Sequence, residues 1–272
     1  MARQSLIVGD IQGCLPGLRK LLMAADFKPD QDRLYAVGDL IGRGPDSLGT
    51  AEYLMSLGDN FQAVLGNHDL NFLAVSQGLK RARNSDKLGP LLKSPKLPDI
   101  INWFRQLPLA HKLDNDIVLV HAGLYPAWSV EQLLAYSNEI NEILSSKQWQ
   151  SLLKNMYGSE PRRWSSDLTG IERQRFIINA CTRMRYIMTG NQLDFENSCH
   201  PNDATEDLIP WFKVSNPALS TEKIVFGHWA ALHGETSSTQ FVGLDTGYIW
   251  GQKMTALRVE TSEYITVDAD KV

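Results

Sequence analysis

Gly66-Asn67-His68-Asp69 follows the apolar run Phe61-Gln62-Ala63-Val64-Leu65, and two earlier stretches of the chain are built in the same way. Gly9-Asp10-Ile11-Gln12-Gly13 follows Leu6-Ile7-Val8, and Gly38-Asp39-Leu40-Ile41-Gly42-Arg43-Gly44 follows Leu34-Tyr35-Ala36-Val37. Short β-rich runs alternating with helical patterns predict βαβ units and a parallel sheet. Ligands of such sheets sit beyond the carboxyl ends of the strands. The three polar clusters are therefore expected to converge on one site.

Working outward, Leu15, Leu18, Leu21, Leu22 and Ala25 recur at helical spacing after the first cluster. Leu48, Ala51, Leu54 and Leu57 predict a second helix, capped by Asp46 or Ser47 and ending near Gly58. A third is expected to begin around His68 and to carry Leu70, Leu73 and Ala74. Residues 80–98, basic and then rich in Pro and Lys, read as a surface loop. Ile100, Ile101, Phe104 and Leu107 suggest a short helix before Pro108. Residues 109–113 and 117–120 read as strands joined by a turn at Asp114-Asn115, the second ending at His121. Residues 223–226 run into Gly227-His228-Trp229 in the same manner, and Phe241-Val242-Gly243-Leu244 runs into Asp245. With strands near 254–259 and 264–267, this second half reads as a β-rich sheet packing against the first. Residues 129–216 differ in texture, helical at first and then dense in Trp149, Tyr157, Trp164, Arg162, Arg163, Arg173, Arg175, Arg183, Arg185 and Tyr186. They read as an insertion over the site within a single domain spanning 1–272.

The chain has 272 residues, 43% hydrophobic and 21% charged, which is the composition of a packed globular protein. A net charge of −4, from 27 basic and 31 acidic residues, gives no blanket attraction to DNA or to an anionic membrane. No apolar run approaches the length of a membrane span. Cys14, Cys181 and Cys199 form no disulfide framework and read as reduced thiols. The start lacks the apolar core of a signal peptide, so a cytoplasmic protein is expected. Nothing in the sequence specifies an oligomeric state.

Asp10, Asp39, Asn67, His121 and His228 each stand at a predicted strand end and offer oxygen or imidazole donors. That set suits Mn²⁺, Fe²⁺, Co²⁺ or Zn²⁺ better than a thiol-rich structural zinc. A carboxylate among them can bridge two ions roughly 3.5–4 Å apart. Taken singly, a Gly-Asp is a turn, Asn67 a helix cap and a lone histidine a surface or core residue; the conjunction carries the inference.

At this point the chain resembles a family. Gly-Asp, Gly-Asp-x-x-x-Arg-Gly and Gly-Asn-His-Asp, followed by two distant histidines, are similar to the motifs of the phosphoprotein-phosphatase-type, calcineurin-like metallophosphoesterases. Within them the chain resembles the bacterial symmetrical bis(5'-nucleosyl)-tetraphosphatase (diadenosine tetraphosphatase) branch. The resemblance covers nearly the whole length, through Val120-His121-Ala122-Gly123, Met156-Tyr157-Gly158, Thr182-Arg183-Met184-Arg185, Phe226-Gly227-His228-Trp229 and Leu244-Asp245-Thr246-Gly247. It implies an α/β (α+β) fold: two packed mixed β-sheets flanked by helices, with a mainly helical cap-like insertion. It implies two divalent ions, Mn²⁺ or Co²⁺ first and Fe²⁺, Zn²⁺ or Mg²⁺ as alternatives. Asp10 and Asp39 would hold the first ion, with Asp39 bridging to a second held by Asn67, His121 and His228.

The resemblance further implies His68 as general acid, Arg43 as a phosphate clamp, and Arg183 or Arg185 as another. The expected reaction is hydrolysis of diadenosine tetraphosphate at its centre by a metal-bridging hydroxide, giving two ADP. Asp245 and Tyr248 are further candidates for contact with substrate. Trp164, Tyr186, Tyr248 and Trp250 are candidates for stacking on adenine. Two positions depart from the family pattern. Gln12 replaces a metal-binding histidine, with an amide oxygen as the weaker donor. Gly42 replaces the carboxylate that orients the catalytic histidine, and Asp69 is the nearest acid to His68 in sequence. A diphosphate is a better leaving group than a serine alkoxide, so that loss costs less for a polyphosphate substrate. The alternatives are a broader metallophosphatase acting on phosphoproteins, nucleotides or nucleotide-capped RNA 5' ends, and a non-enzymatic nucleotide sensor with a weakened first metal site.

Overall fold

The three leading apolar runs form β1 (Ser5–Val8), β2 (Arg33–Ala36) and β3 (Phe61–Ala63), joined by α1 (Leu15–Ala24) and α2 (Ser47–Ser56). They pair in parallel, with Leu6 opposite Leu34 and Tyr35 opposite Gln62. The computed structural model describes residues 3–114 and 116–270, so Asn115 of the expected turn lies outside the described residues. Asp46 caps α2 by accepting from the Gly49 N–H at 2.8 Å. α3 (Asn67–Ser76) starts directly at the third polar cluster.

Residues 80–98 are more ordered than their Pro and Lys content suggests. They contain a helical turn at Asn84–Asp86 and α4 (Gly89–Leu92), followed by α5 (Leu97–Phe104). Buried Leu88 and Leu91 hold this stretch to the core, whereas composition alone reads it as a loop.

β4 (Ala110–Lys112) and β5 (Ile117–Val120) pair antiparallel. The insertion brings α6 (Val130–Ser145), α7 (Trp149–Asn155) and α8 (Gly170–Arg183). A small antiparallel sheet follows, of β6 (Tyr186–Met188), β7 (Gln192–Leu193) and β8 (Ile209–Pro210). α6 opens on a capping box in which Ser129 and Gln132 bond each other's backbone N–H. Ser137 on α6 ties the helix to the core, its hydroxyl accepting from the backbone N–H groups of Leu109 and Ala110. Beyond the insertion come β9 (Lys223–Phe226), β10 (Phe241–Gly243), β11 (Lys253–Arg258) and β12 (Glu263–Asp268).

The strands form one sheet in the order β12-β11-β1-β2-β3 and a second in the order β10-β9-β5-β4. The last two strands therefore complete the first sheet, with Leu6 opposite Arg258, rather than extending the second as the sequence reading expects. Alternation along each strand divides the core. Ile7, Tyr35, Ile117, Leu119, Val225, Val242 and Leu257 meet between the two sheets. Leu6, Val8, Val118, Val120, Ile224 and Phe226 face the helices. Each such fully buried side chain contributes about 1.5–3 kcal/mol of hydrophobic stabilisation. Burial on both faces explains why these strands read as continuous apolar runs. Parallel pairing within each sheet brings the carboxyl ends of β1, β2, β3, β5, β9 and β10 to one rim.

Candidate active site

Asp10, Asp39, Asn67, His121, His228 and Asp245 follow the ends of β1, β2, β3, β5, β9 and β10 in turn. Asp10, Asp39 and His121 each bring a ligand atom within 4.8 Å of the others, a grouping able to hold a metal ion. His121 donates from Nδ1 to the Val37 carbonyl at 2.8 Å, which fixes its tautomer and turns the Nε2 lone pair to the site. That Nε2 lies 3.5 Å from Asp39 Oδ1 and 3.3 Å from the Asn67 carboxamide oxygen. The same end of the Asn67 amide faces His228 Nδ1 at 2.9 Å. It also faces the Thr182 carbonyl at 3.2 Å: an amide nitrogen there donates to both, whereas an oxygen there would gather acceptors as a cation requires. Asp10 Oδ2 is buried without a hydrogen-bond partner, so the residues fit a metal.

The backbone is bent to make this approach. Gln12, Asp39, Arg43 and His228 all take positive φ, at 50°, 50°, 62° and 67°. Each costs about 1–2 kcal/mol relative to the right-handed region, a strain typical of functional sites. A Cβ on Gly66 would strike Asp39 Oδ1, and one on Gly227 would strike Asp10 Oδ1. Only glycine fits beside either carboxylate.

Electrostatics follow from crowding four acids into an apolar rim. Burial, then Asp245 and Asp39, hold the Asp10 carboxyl well above the usual carboxylate range. Burial first, with Asp39 adding to it, pushes Asp245 to about 6. Burial lowers His121, and burial with the Arg185 charge lowers His228 much further. Both imidazoles are thus kept neutral, the form in which a histidine can ligate a metal.

Asp69 does not orient His68. Its buried carboxylate accepts from the backbone N–H groups of Leu40 at 2.9 Å and Gly66 at 2.9 Å, and more weakly from Ile41 at 3.4 Å. It therefore pins the second polar cluster to the third. Asp69→Ala strands these donors inside the protein, and a loss of about 3–5 kcal/mol in urea denaturation is expected. Asp69→Asn, which keeps an acceptor, should lose less; wild-type stability in the alanine variant would refute the clamp.

His68 accepts from Arg43 Nε at 3.0 Å through Nε2, and its backbone N–H donates to Asp39 Oδ1 at 2.8 Å. A Cβ at Gly42 would stand 3.6 Å from His68 Nδ1, so the missing side chain is one that would reach this ring. Two cavities meet at Arg43, Asn67 and His68. One, of about 590 Å³, also takes in Gln12, Asp39, Arg185, His228, His233, Asp245 and Trp250. The other, of about 400 Å³, runs between α3 and α8 past Lys80, Arg83, Tyr157 and Arg183. The predicted arginines divide accordingly. Arg173 pairs with Glu139, Arg162 with Glu160 and Glu196, and Arg175 bonds the Asn155 and Glu160 carbonyls. Arg183 and Arg185 reach one cavity each.

Among the aromatics, Trp164 packs with Trp128, Tyr136 and Phe176, and Tyr186 is buried against Trp229. Neither lines either of these two cavities. Tyr248 lies against Gly17 of α1, where a Cβ would meet its ring. Trp250 does line the larger cavity, with the Arg43 guanidinium 5.2 Å from its ring centre. Tyr157 is marked in the sequence by the aromatic-rich insertion and the block Met156-Tyr157-Gly158, whereas Lys80 and Arg83 fall in a stretch that reads as a loop. His233, which without a motif reads as a surface or packing residue, lines the larger cavity.

Residues 4–232 match the family of the calcineurin-like phosphoesterases. The chain belongs to that family. Together with the clustered Asp10, Asp39 and His121, calcineurin-like phosphoesterase membership marks a metal-dependent hydrolase. The chain is similar to proteins named symmetrical bis(5'-nucleosyl)-tetraphosphatase. It is 43% identical to one from Aliivibrio fischeri (strain MJ11), over 96% of this chain and 97% of the relative. It is 44% identical to another from Edwardsiella ictaluri (strain 93-146), over 97% and 95%. A crystal structure described as a candidate diadenosine tetraphosphatase superposes with a TM-score of 0.67 at 27% identity, covering 100% of this chain and 96% of the other. A protein serine/threonine phosphatase from Saccharomyces cerevisiae, 14% identical with a TM-score of 0.53 over 99% and 80%, shares the phosphoesterase fold alone. Among the described residues no helix is long and apolar enough to cross a membrane.

Proposed function

We propose that the chain hydrolyses dinucleoside polyphosphates, diadenosine tetraphosphate first among them, at the central phosphoanhydride to give two nucleoside diphosphates. The observation that carries this reading is the donor cluster at the strand rim, opening into two cavities that share Arg43, Asn67 and His68. A substrate with two equivalent halves needs room on both sides of the reacting centre. The near full-length likeness to symmetrical tetraphosphatases supports the same substrate class. Free Cys14, Cys181 and Cys199 suit a reducing, cytoplasmic setting.

Asp10, Gln12, Asp39, Asn67, His121 and His228 are the residues that would hold two divalent ions, Mn²⁺ or Co²⁺ in our reading. Bound ions of this kind supply an activated water and neutralise phosphoryl charge. The protein's own groups do the remainder. Arg185, buried with its Nε unpartnered, stands ready to donate to a phosphate oxygen in the larger cavity. Arg43 turns from His68 Nε2 to the phosphate, and Nε2 then carries the proton given to the departing oxygen. Gly42 leaves His68 Nδ1 without a carboxylate, a loss that a diphosphate leaving group tolerates.

Incubation of diadenosine tetraphosphate with the protein and Mn²⁺, Co²⁺ or Mg²⁺, with chromatographic separation, is expected to yield ADP alone. ATP with AMP would overturn central cleavage, and no turnover with any of the ions would overturn the reaction.

A further inference from the structure

The smaller cavity holds more positive charge than the reacting centre needs. Arg43, Lys80, Arg83 and Arg183 line it, with Asp86 as the sole carboxylate in its wall. Among the described residues none of these four cations makes an ion pair. Asp86 is already engaged, its carboxylate capping the Arg83 N–H at 3.1 Å and its carbonyl accepting from the Arg43 N–H at 3.0 Å. Arg183 is anchored on the Gly158 carbonyl and the Asn179 side chain, which hold its guanidinium at the wall. Lys80 lies 4.2 Å from the ring centre of Tyr157, which is 39% exposed and forms the cavity's aromatic surface. Burial and the charges of Arg83 and Arg183 lower the Lys80 pKa against the opposing pull of Asp86, as expected where cations outnumber the single carboxylate. A volume of about 400 Å³ lies within the roughly 300–1,000 Å³ of small-ligand sites.

The carboxylates Asp39 and Asp245 open into the other cavity, so the phosphorus under attack belongs there. His68 borders both. We propose that the cavity lined by Lys80, Arg83, Tyr157 and Arg183 is the subsite for the departing nucleoside diphosphate. The three cations grip its phosphates and Tyr157 offers a face to its base. This rests on the reading of the reaction given above. In that reaction the bond between the attacked phosphorus and the bridging oxygen breaks, and the water oxygen takes its place on phosphorus. The bridging oxygen leaves with its electron pair into this cavity and receives the proton held by His68.

Titration calorimetry of ADP, and separately of inorganic phosphate, into the metal-loaded full chain tests the assignment. Lys80→Ala and Arg83→Ala are each expected to weaken ADP by about tenfold or more, the loss of a charge-assisted phosphate contact. Inorganic phosphate, which the metal centre alone can hold, should shift less than about twofold in both, since the metal and its ligands are untouched. Arg83→Lys should keep most of the ADP affinity, separating lost charge from misfolding. A crystal of the wild type soaked in ADP should carry the diphosphate between Lys80 and Arg83; density stacked on Trp250 instead would overturn the subsite. Central cleavage by the wild type with ADP affinity unmoved in both variants overturns the subsite and leaves the reaction standing. ADP affinity lost in both variants, with no dinucleotide cleaved, overturns the reaction and retains a nucleoside diphosphate site.

Discussion

Asp39→Asn is expected to lower the turnover of diadenosine tetraphosphate by at least about 10³-fold and to reduce bound metal below two ions per chain. The size of the effect follows from position. Asp39 Oδ1 stands 3.5 Å from His121 Nε2 and receives the His68 backbone N–H, while Oδ2 lies 3.9 Å from the His68 ring. The one carboxylate therefore touches His121 of the donor set and the turn that carries His68. An amide keeps the volume and removes the charge. The same change should raise the stability of the metal-free protein at neutral pH, because Asp39 helps to push the Asp10, Asp69 and Asp245 carboxyls upward. Activity and stability would thus move in opposite directions, as at a site built against its own repulsion. Turnover, elemental analysis of bound metal and urea denaturation check the three parts. Near wild-type turnover with two ions retained would remove Asp39 from the centre.

What could be read from sequence was what local pattern encodes. The strands ending at Asp10, Asp39 and Asn67 carry apolar runs because both faces of their sheet are buried, and their shared direction follows from the intervening helices. The pairing of β11 with β1 joins residues at opposite ends of the chain, Arg258 with Leu6, and leaves no local trace. A strand pattern states that a segment is extended, not which edge it joins. Residues 80–98 misled in the other direction. Two leucines anchor a segment whose composition is otherwise that of a loop, and the anchoring presents Lys80 and Arg83 to a cavity.

Asp10, Asp39, Asn67, His121 and His228 could be picked out together because each closes an apolar run, all but His121 beside a glycine. The arginines and aromatics were legible only as a group. Choosing among them depends on partners distant in sequence, such as Glu139 for Arg173 and Trp229 for Tyr186. Asp69 was ambiguous for a different reason. A carboxylate next to His68 in sequence points elsewhere on the helix, because neighbours one residue apart do not share a face. Its bonds run back to Leu40 and Gly66 instead.

His68→Asn should slow central cleavage by about 10²–10³-fold, within the range of a lost general acid. The more informative quantity is how that loss varies with the leaving group. A proton donor matters most where the departing oxygen is most basic, so the variant's deficit should grow from activated to unactivated aryl phosphates. The dinucleotide, expelling a diphosphate, should sit near the shallow end of that trend. Metal content should not change, because the hydrogen bond from this residue to Asp39 is made by its backbone N–H, which asparagine retains. A deficit of equal size for every leaving group, or one accompanied by loss of metal, would assign the ring a purely structural part. Gly42 sharpens the comparison. A carboxylate introduced by Gly42→Asp would approach His68 Nδ1, but at a φ of 96° it costs about 1–3 kcal/mol of stability. Polyphosphate turnover should therefore gain little from that carboxylate, whereas poor leaving groups should gain most, and in the absence of His68 the gain should vanish.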